Sequence, residues 1–109
     1  MPRTEGLNKV EQLVLLALAR LGEGAYGMSV RDEIDTRTGS SLSIAAVYNA
    51  LDRLQRNGLI GANLSTPTTE RGGRAKKHFQ INAAAVRALR DEQAVMDQMW
   101  EDLDLPVEP

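Results

Sequence analysis

At Gly58 the spacing of apolar residues in this chain changes from helical to alternating, and at Asn82 it changes back. Apolar positions recurring every three or four residues mark the buried stripe of a helix, whereas strict alternation marks a strand with one covered face. Three helical stretches precede the first change. In residues 7–21, LNKVEQLVLLALARL, a stripe of Leu7, Val10, Val14, Leu18 and Leu21 is widened by Leu13, Leu16 and Ala17. So broad a stripe predicts a helix buried on more than one side, ended by Gly22 and Gly24. Residues 28–38, MSVRDEIDTRT, turn Val30 and Ile34 inward, leave their charges outside and close at Gly39. Residues 44–57, IAAVYNALDRLQRN, gather Val47, Ala50, Leu51 and Leu54 on one face. Ala45, Tyr48, Asn49, Asp52, Arg53 and Arg56 lie around the other. Ser43 is placed to cap this third helix, and Gly58 stands where a left-handed residue ends it.

The alternating segments are LIGANLS (59–65) and AKKHFQI (75–81), with Phe79 and Ile81 predicted to face the core. Their connection, STPTTERGGR, holds a proline and two glycines and is too long for a tight hairpin, so an extended, loose turn is expected. Asn82 then caps a last helix running from Ala83 to about Leu103. Val86, Leu89, Gln93, Met96, Trp100 and Leu103 follow one another by alternating steps of three and four, a heptad seam of about two and a half repeats. The order helix, helix, helix, strand, turn, strand, helix predicts a mainly α fold with a small two-stranded β-wing: a winged helix-turn-helix plus a C-terminal dimerisation helix. The expected divisions are a winged helix-turn-helix domain over 1–82, a dimerisation helix over 83–104 and a disordered tail over 105–109.

A chain of 109 residues is about one domain, with a core modest enough to profit from dimerisation. It has no cysteine, which removes disulfides and thiolate metal sites and fits a reducing cytosol, so the expected location is cytoplasmic. No apolar run is long enough to span a bilayer, and the start MPRTEGLNKVEQ lacks the apolar core of an export signal.

The formal net charge of −2 conceals an uneven distribution. Residues 82–109 carry two basic and seven acidic side chains, a net of −5, while residues 43–81 carry six basic and two acidic ones, a net of +4. The cations Arg71, Arg74, Lys76 and Lys77 crowd the wing around Gly72 and Gly73. Cations on such a turn reach phosphates and release condensed counterions, and glycine lets the backbone approach a groove wall. The third helix would then enter the major groove with its amino-terminal half nearest the bases. There Asn49 suits a bidentate pair with adenine and Arg53 one with guanine, while Ser43 and Tyr48 carry hydroxyls suited to phosphate oxygens. Each residue also has a plainer reading. The basic run can be a solvated loop. Arg53 and Arg56 can pair with Asp52, the expected fate of Arg56. Tyr48 can be a half-buried core tyrosine.

Other chemistry finds little footing. His78 is the sole histidine, so no metal or other cofactor is expected, and it reads as a strand residue facing solvent or phosphate. There is no Cys/His pair and no phosphate-binding glycine loop, and Asp32, Glu33 and Asp35 lie among arginines as ordinary solvated helix charge; the chain is not expected to be an enzyme. The seam of the last helix can pack on its own chain, but the expectation is pairing with a second copy, which sets two recognition helices about one DNA turn, ~34 Å, apart and asks for a near-palindromic operator. Trp100 would anchor that dimer; with Met96 it is also a candidate wall for a ligand pocket between subunits. The reading from another class is a winged-helix protein–protein interaction module without DNA binding, with the acidic tail as its contact.

Four stretches together resemble the PadR family of bacterial transcriptional regulators: LVLLALARLGEGAYGMSVRDEI, LSIAAVYNALDRLQRNGLI, RGGRAKKHFQI and the helix start after Asn82. The marks are Tyr26-Gly27, the run from Tyr48 through Leu51 and Leu54 to Gly58-Leu59-Ile60, and Gly73-Arg74 followed by Lys77-His78-Phe79. The resemblance spans residues 13–90 and implies a winged-helix homodimer acting mostly as a repressor, often answering to small aromatic or drug-like effectors. By position it places Ser43, Tyr48, Arg74, Lys76 and Lys77 at DNA. Ile44, Ala45 and Ala46 stand where the family often has proline, glycine and threonine, which shifts the expected base contact to Asn49. His78 and Phe79 replace commonly paired tyrosines. The single short dimer helix matches the family's smaller subgroup.

Overall fold

The computed structural model describes residues 6–64 and 76–107. Among them run α1 (Lys9–Leu21), α2 (Gly27–Thr38), α3 (Ile44–Arg56), β1 (Ile60–Leu64), β2 (Lys77–Ile81) and α4 (Ala83–Trp100). This is the expected order, with each helix and strand within three residues of its predicted ends. The wing tip, with Arg71, Gly72, Gly73 and Arg74, lies outside the described residues.

Each helix starts where a side chain can take up an orphan backbone N–H. Asn8 Oδ1 accepts from the Glu11 N–H at 2.8 Å, and Glu11 Oε1 accepts from the Asn8 N–H at 2.9 Å, a reciprocal cap on α1. Tyr26 donates its N–H to Ser29 Oγ at 2.9 Å, and Ser29 Oγ–H in turn donates to the Tyr26 carbonyl at 2.9 Å, at the start of α2. Ser43 Oγ accepts from Ala46 N–H at 3.0 Å, capping α3 as expected. Gly39 ends α2 with φ 73° and ψ 6°, a left-handed residue that costs glycine little.

The core is one cluster built from every element. Val14, Leu15 and Leu18 of α1, Val30 and Ile34 of α2, and Val47, Ala50, Leu51 and Leu54 of α3 are buried against Leu59, Ile60, Phe79 and Ala85. The predicted inner face of the third helix is thus the buried one. Phe79 is buried and Ile81 half-buried, as the alternation requires. β1 and β2 pair antiparallel with Ile60 opposite Ile81 and Leu64 opposite Lys77. The ribbon is fastened to the helices by its backbone: the Phe79 N–H donates to the Ala25 carbonyl at 2.9 Å, in the segment between α1 and α2.

Asn82 joins three parts of the fold. Its Oδ1 accepts from Ala85 N–H at 3.0 Å, its Nδ2 donates to the Gly58 carbonyl at 2.8 Å, and its own N–H donates to the Leu59 carbonyl at 3.3 Å. Asn82→Ala removes the first two contacts and should lower stability by about 1–2 kcal/mol, read as a lower urea midpoint at unchanged slope.

α4 departs from expectation at its far end. The helix stops at Trp100 rather than near Leu103: Glu101 is extended (φ −56°, ψ 130°) and Asp102 takes a left-handed φ of 59°. Leu103 therefore stands beyond the helix, tied back by its N–H to the Trp100 carbonyl at 3.0 Å. The last turn of α4 has no basic residue, and Asp97, Glu101, Asp102 and Asp104 gather at the negative end of the helix dipole, which disfavours further turns. Among the described residues no helix is long and apolar enough to cross a membrane.

Candidate nucleic-acid interface

The outer face of α3 carries Ala45, Tyr48, Asn49, Asp52 and Arg56, all exposed. Ser43 stands exposed at its amino end. Its oxygen already accepts from Ala46 N–H, which leaves its O–H proton free to donate. Two of the predicted contacts acquire internal partners. Arg53 Nε donates to Glu11 Oε2 at 3.2 Å, joining α3 to the start of α1. The Glu11 side chain is only 7% exposed while that of Arg53 is 41% exposed. A buried carboxylate that loses its cation bears an uncompensated desolvation cost, so moving Arg53 to a guanine carries a penalty. Arg56 pairs with Asp52 one turn away, the fate expected of it. Asn49, on the amino-terminal half of this face, makes no side-chain hydrogen bond among the described residues, and the face is close to neutral.

Positive charge enters from the wing. Lys76 and Lys77 are exposed at the start of β2. The Lys76 ammonium sits 4.3 Å from the Tyr26 ring centroid, and the His78 ring lies tilted against the same tyrosine with centroids 6.4 Å apart. The Lys77 ammonium stands 5.6 Å from the Phe79 centroid. A cation over an aromatic face keeps its charge while its stem is steadied. His78 is accordingly half-buried at the wing root rather than simply solvent-facing.

Tyr48 completes the surface. It is 45% exposed, with its ring against Gly27, where any Cβ would overlap it. Tyr26 and Gly27 therefore link the wing root to α3: Lys76 rests on Tyr26, and Tyr48 rests on the next residue. The sequence marks this pair only by its family resemblance, because which aromatic meets which cation depends on contacts some fifty residues apart. Lys76, Lys77, Tyr48, Asn49 and Ser43 lie on the elements that bound this surface, Arg53 is turned to α1, and Arg71 and Arg74 fall outside the described residues.

The second candidate surface is the outer half of α4. After Glu92, which accepts from the Leu7 N–H at 2.9 Å, every residue to Trp100 is exposed. Gln93, Val95, Met96, Met99 and Trp100 form a wide apolar stripe with little of its own chain against it, and Met99 is 72% exposed. Of the predicted seam, Leu89 is half-buried on the core; Val86, Gln93 and Met96 line a groove of about 500 Å³ between α1 and α4 together with Leu16. Trp100 and Leu103 lie past it. Sequence reading missed Val95 and Met99, although the doublets Val95-Met96 and Met99-Trp100 one turn apart signal a face wider than a two-position seam. Leu16, core by its place in the α1 stripe, is 48% exposed.

Similar folds recur among solved proteins. A PadR-family transcriptional regulator from Eggerthella lenta is 24% identical, with a TM-score of 0.64 over 81% of this chain and 74% of that one. A PadR-like transcriptional regulator from Bacillus cereus is 19% identical, with a TM-score of 0.65 over 83% and 82%. RosR from H. salinarum is 18% identical, with a TM-score of 0.67 over 94% and 84%. At these identities the likeness is one of fold. Comparison with curated proteins gives no match. The model of the transcriptional regulator PadR-like family matches residues 14–91, which takes in α1 from Val14 onward, all of α2 and α3, the wing and the first half of α4. The chain belongs to the PadR-like family of transcriptional regulators, winged-helix proteins that bind DNA and are not enzymes.

Proposed function

We propose that this protein is a homodimeric repressor that binds a near-palindromic operator, with α3 in the major groove and the wing on the flanking backbone. The observation that supports this reading is the contact of Lys76 with Tyr26 and of Tyr48 with the adjoining Gly27, which ties the cationic wing root to the helix that carries Asn49. Ser43 and Tyr48 position the helix on phosphates, and Arg71, Arg74, Lys76 and Lys77 supply the charge. Arg53 acts chiefly by holding α3 on α1. Two α4 helices pair through Val95, Met96, Met99 and Trp100, with Val86, Leu89, Gln93 and Leu103 at the margins. Trp100 and Met96 also offer an apolar wall to a small aromatic effector bound between subunits.

The direct test is mobility of labelled DNA from the upstream region of the protein's own gene, with and without unlabelled competitor. Retention that resists nonspecific competitor supports the reading; no retention at low salt favours a protein-binding winged helix instead. Asn49→Ala should weaken the preferred site by about 1–3 kcal/mol and leave binding to unrelated duplex nearly unchanged, as competition titrations would resolve.

A further inference from the structure

A second groove, of about 310 Å³, lies on the opposite side of Leu16 between α1 and α2. Leu13, Leu16, Ala17 and Ile34 form its floor, and Arg20, Arg37 and Glu33 its rim. Arg37 is neutralised by Glu33 at 2.7 Å, while Arg20, exposed on the last turn of α1, makes no ion pair or hydrogen bond among the described residues. The groove thus has an apolar floor with one unanswered positive charge.

The chain also carries a segment of matching chemistry. After α4 it reads DLDLPVE, residues 102–108. Among its described residues Leu103, Leu105 and Val107 are all more than half exposed, and the stretch 103–107 has no regular secondary structure. In an extended chain alternate residues point to opposite sides, so Leu103, Leu105 and Val107 share one edge and Asp104 lies on the other. Pro106 holds Leu105 out of helical geometry and keeps the segment extended.

Glu92 meets Leu7, ahead of α1 and at the opposite end of that helix from Arg20, and every α4 residue after Glu92 is exposed. We infer that the acidic-apolar tail of one protomer docks in the α1–α2 groove of its partner, seating Leu103 and Leu105 on Leu13 and Leu16 with Asp104 at Arg20. Leu16 lines both this groove and the α1–α4 groove, so the tail extends the α4 interface without a break. The inference rests on the dimer proposed above.

The absence of native cysteine makes cross-linking a clean test. Protomers carrying Thr38→Cys, at the rim of the groove, are mixed with protomers carrying Leu105→Cys and treated with a short bismaleimide, while sedimentation measures assembly in parallel. A cross-linked heterodimer between the two variants is expected, and Arg20→Glu should diminish it severalfold, with recovery on pairing Arg20→Glu with Asp104→Arg. Dimers that sediment normally yet give no cross-link, or a cross-link only within a chain carrying both cysteines, overturn the docking while leaving the dimer intact. A wild-type protein that sediments as a monomer overturns both.

Discussion

Replacing Arg71, Arg74, Lys76 and Lys77 together by alanine is expected to lower affinity for duplex DNA by roughly 100-fold or more in low salt, on all sequences alike. Each cation that neutralises a phosphate releases a counterion and contributes about 0.9 to the slope of log K against log salt, so losing four should flatten that slope by about 3 to 4 per protomer. The fold should tolerate the change. Lys76 and Lys77 are exposed, and the contact of Lys76 with Tyr26 contributes about 0.5–1 kcal/mol at such a site. A urea midpoint lowered by no more than that contact accounts for, beside a collapsed salt slope, would assign the effect to phosphate contacts. A variant that binds as tightly as the wild type, with the same slope, would mean that the wing does not touch DNA.

The second large effect is expected at α4. Met96→Asp with Trp100→Asp places two charges one turn apart on the exposed stripe. If that stripe is the dimer contact, burying uncompensated carboxylates there should weaken association by about 100-fold or more. Neither side chain is buried within its own protomer, so protomer stability should change by less than about 0.5 kcal/mol apart from the loss of the partner. DNA affinity should fall as well, by about 10²–10⁴, because two linked half-sites bind with an avidity that a single one lacks. Sedimentation equilibrium and DNA retention on the same variant check both effects. Retained dimers would shift the interface elsewhere on the chain.

Much of the fold is written in local pattern. Val47, Ala50, Leu51 and Leu54 announce a buried face by spacing alone, Ser43 and Asn82 announce helix starts by residue type, and Phe79 declares its side by alternation. Each signal depends on neighbours within a few residues. The cap formed by Asn8 and Glu11 is local too, an N-x-x-E preceding an apolar run, and was open to the same reading. What escaped depends on distant partners. Arg53 and Glu11 are 42 positions apart, so spacing offers Asp52 as the arginine's partner and nothing points to α1. The same holds for Lys76 on Tyr26 and for Tyr48 against Gly27. Leu16 belongs by pattern to a buried helix, yet no element among the described residues covers it, and its exposure becomes intelligible only once α4 is seen to leave an open groove beside it. The end of α4 was legible in principle: three acidic side chains just past Trp100, facing a negative dipole, argue against the extra turn.

Two protomers on one operator duplex is the arrangement that a stoichiometry measurement tests most directly. Sedimentation of a fluorescent duplex of about 25 base pairs from the gene's own upstream region, titrated with protein, should show two protomers joining each duplex in one cooperative step that added salt reverses. A complex saturating at one protomer per duplex, or no complex in dilute buffer, would contradict it.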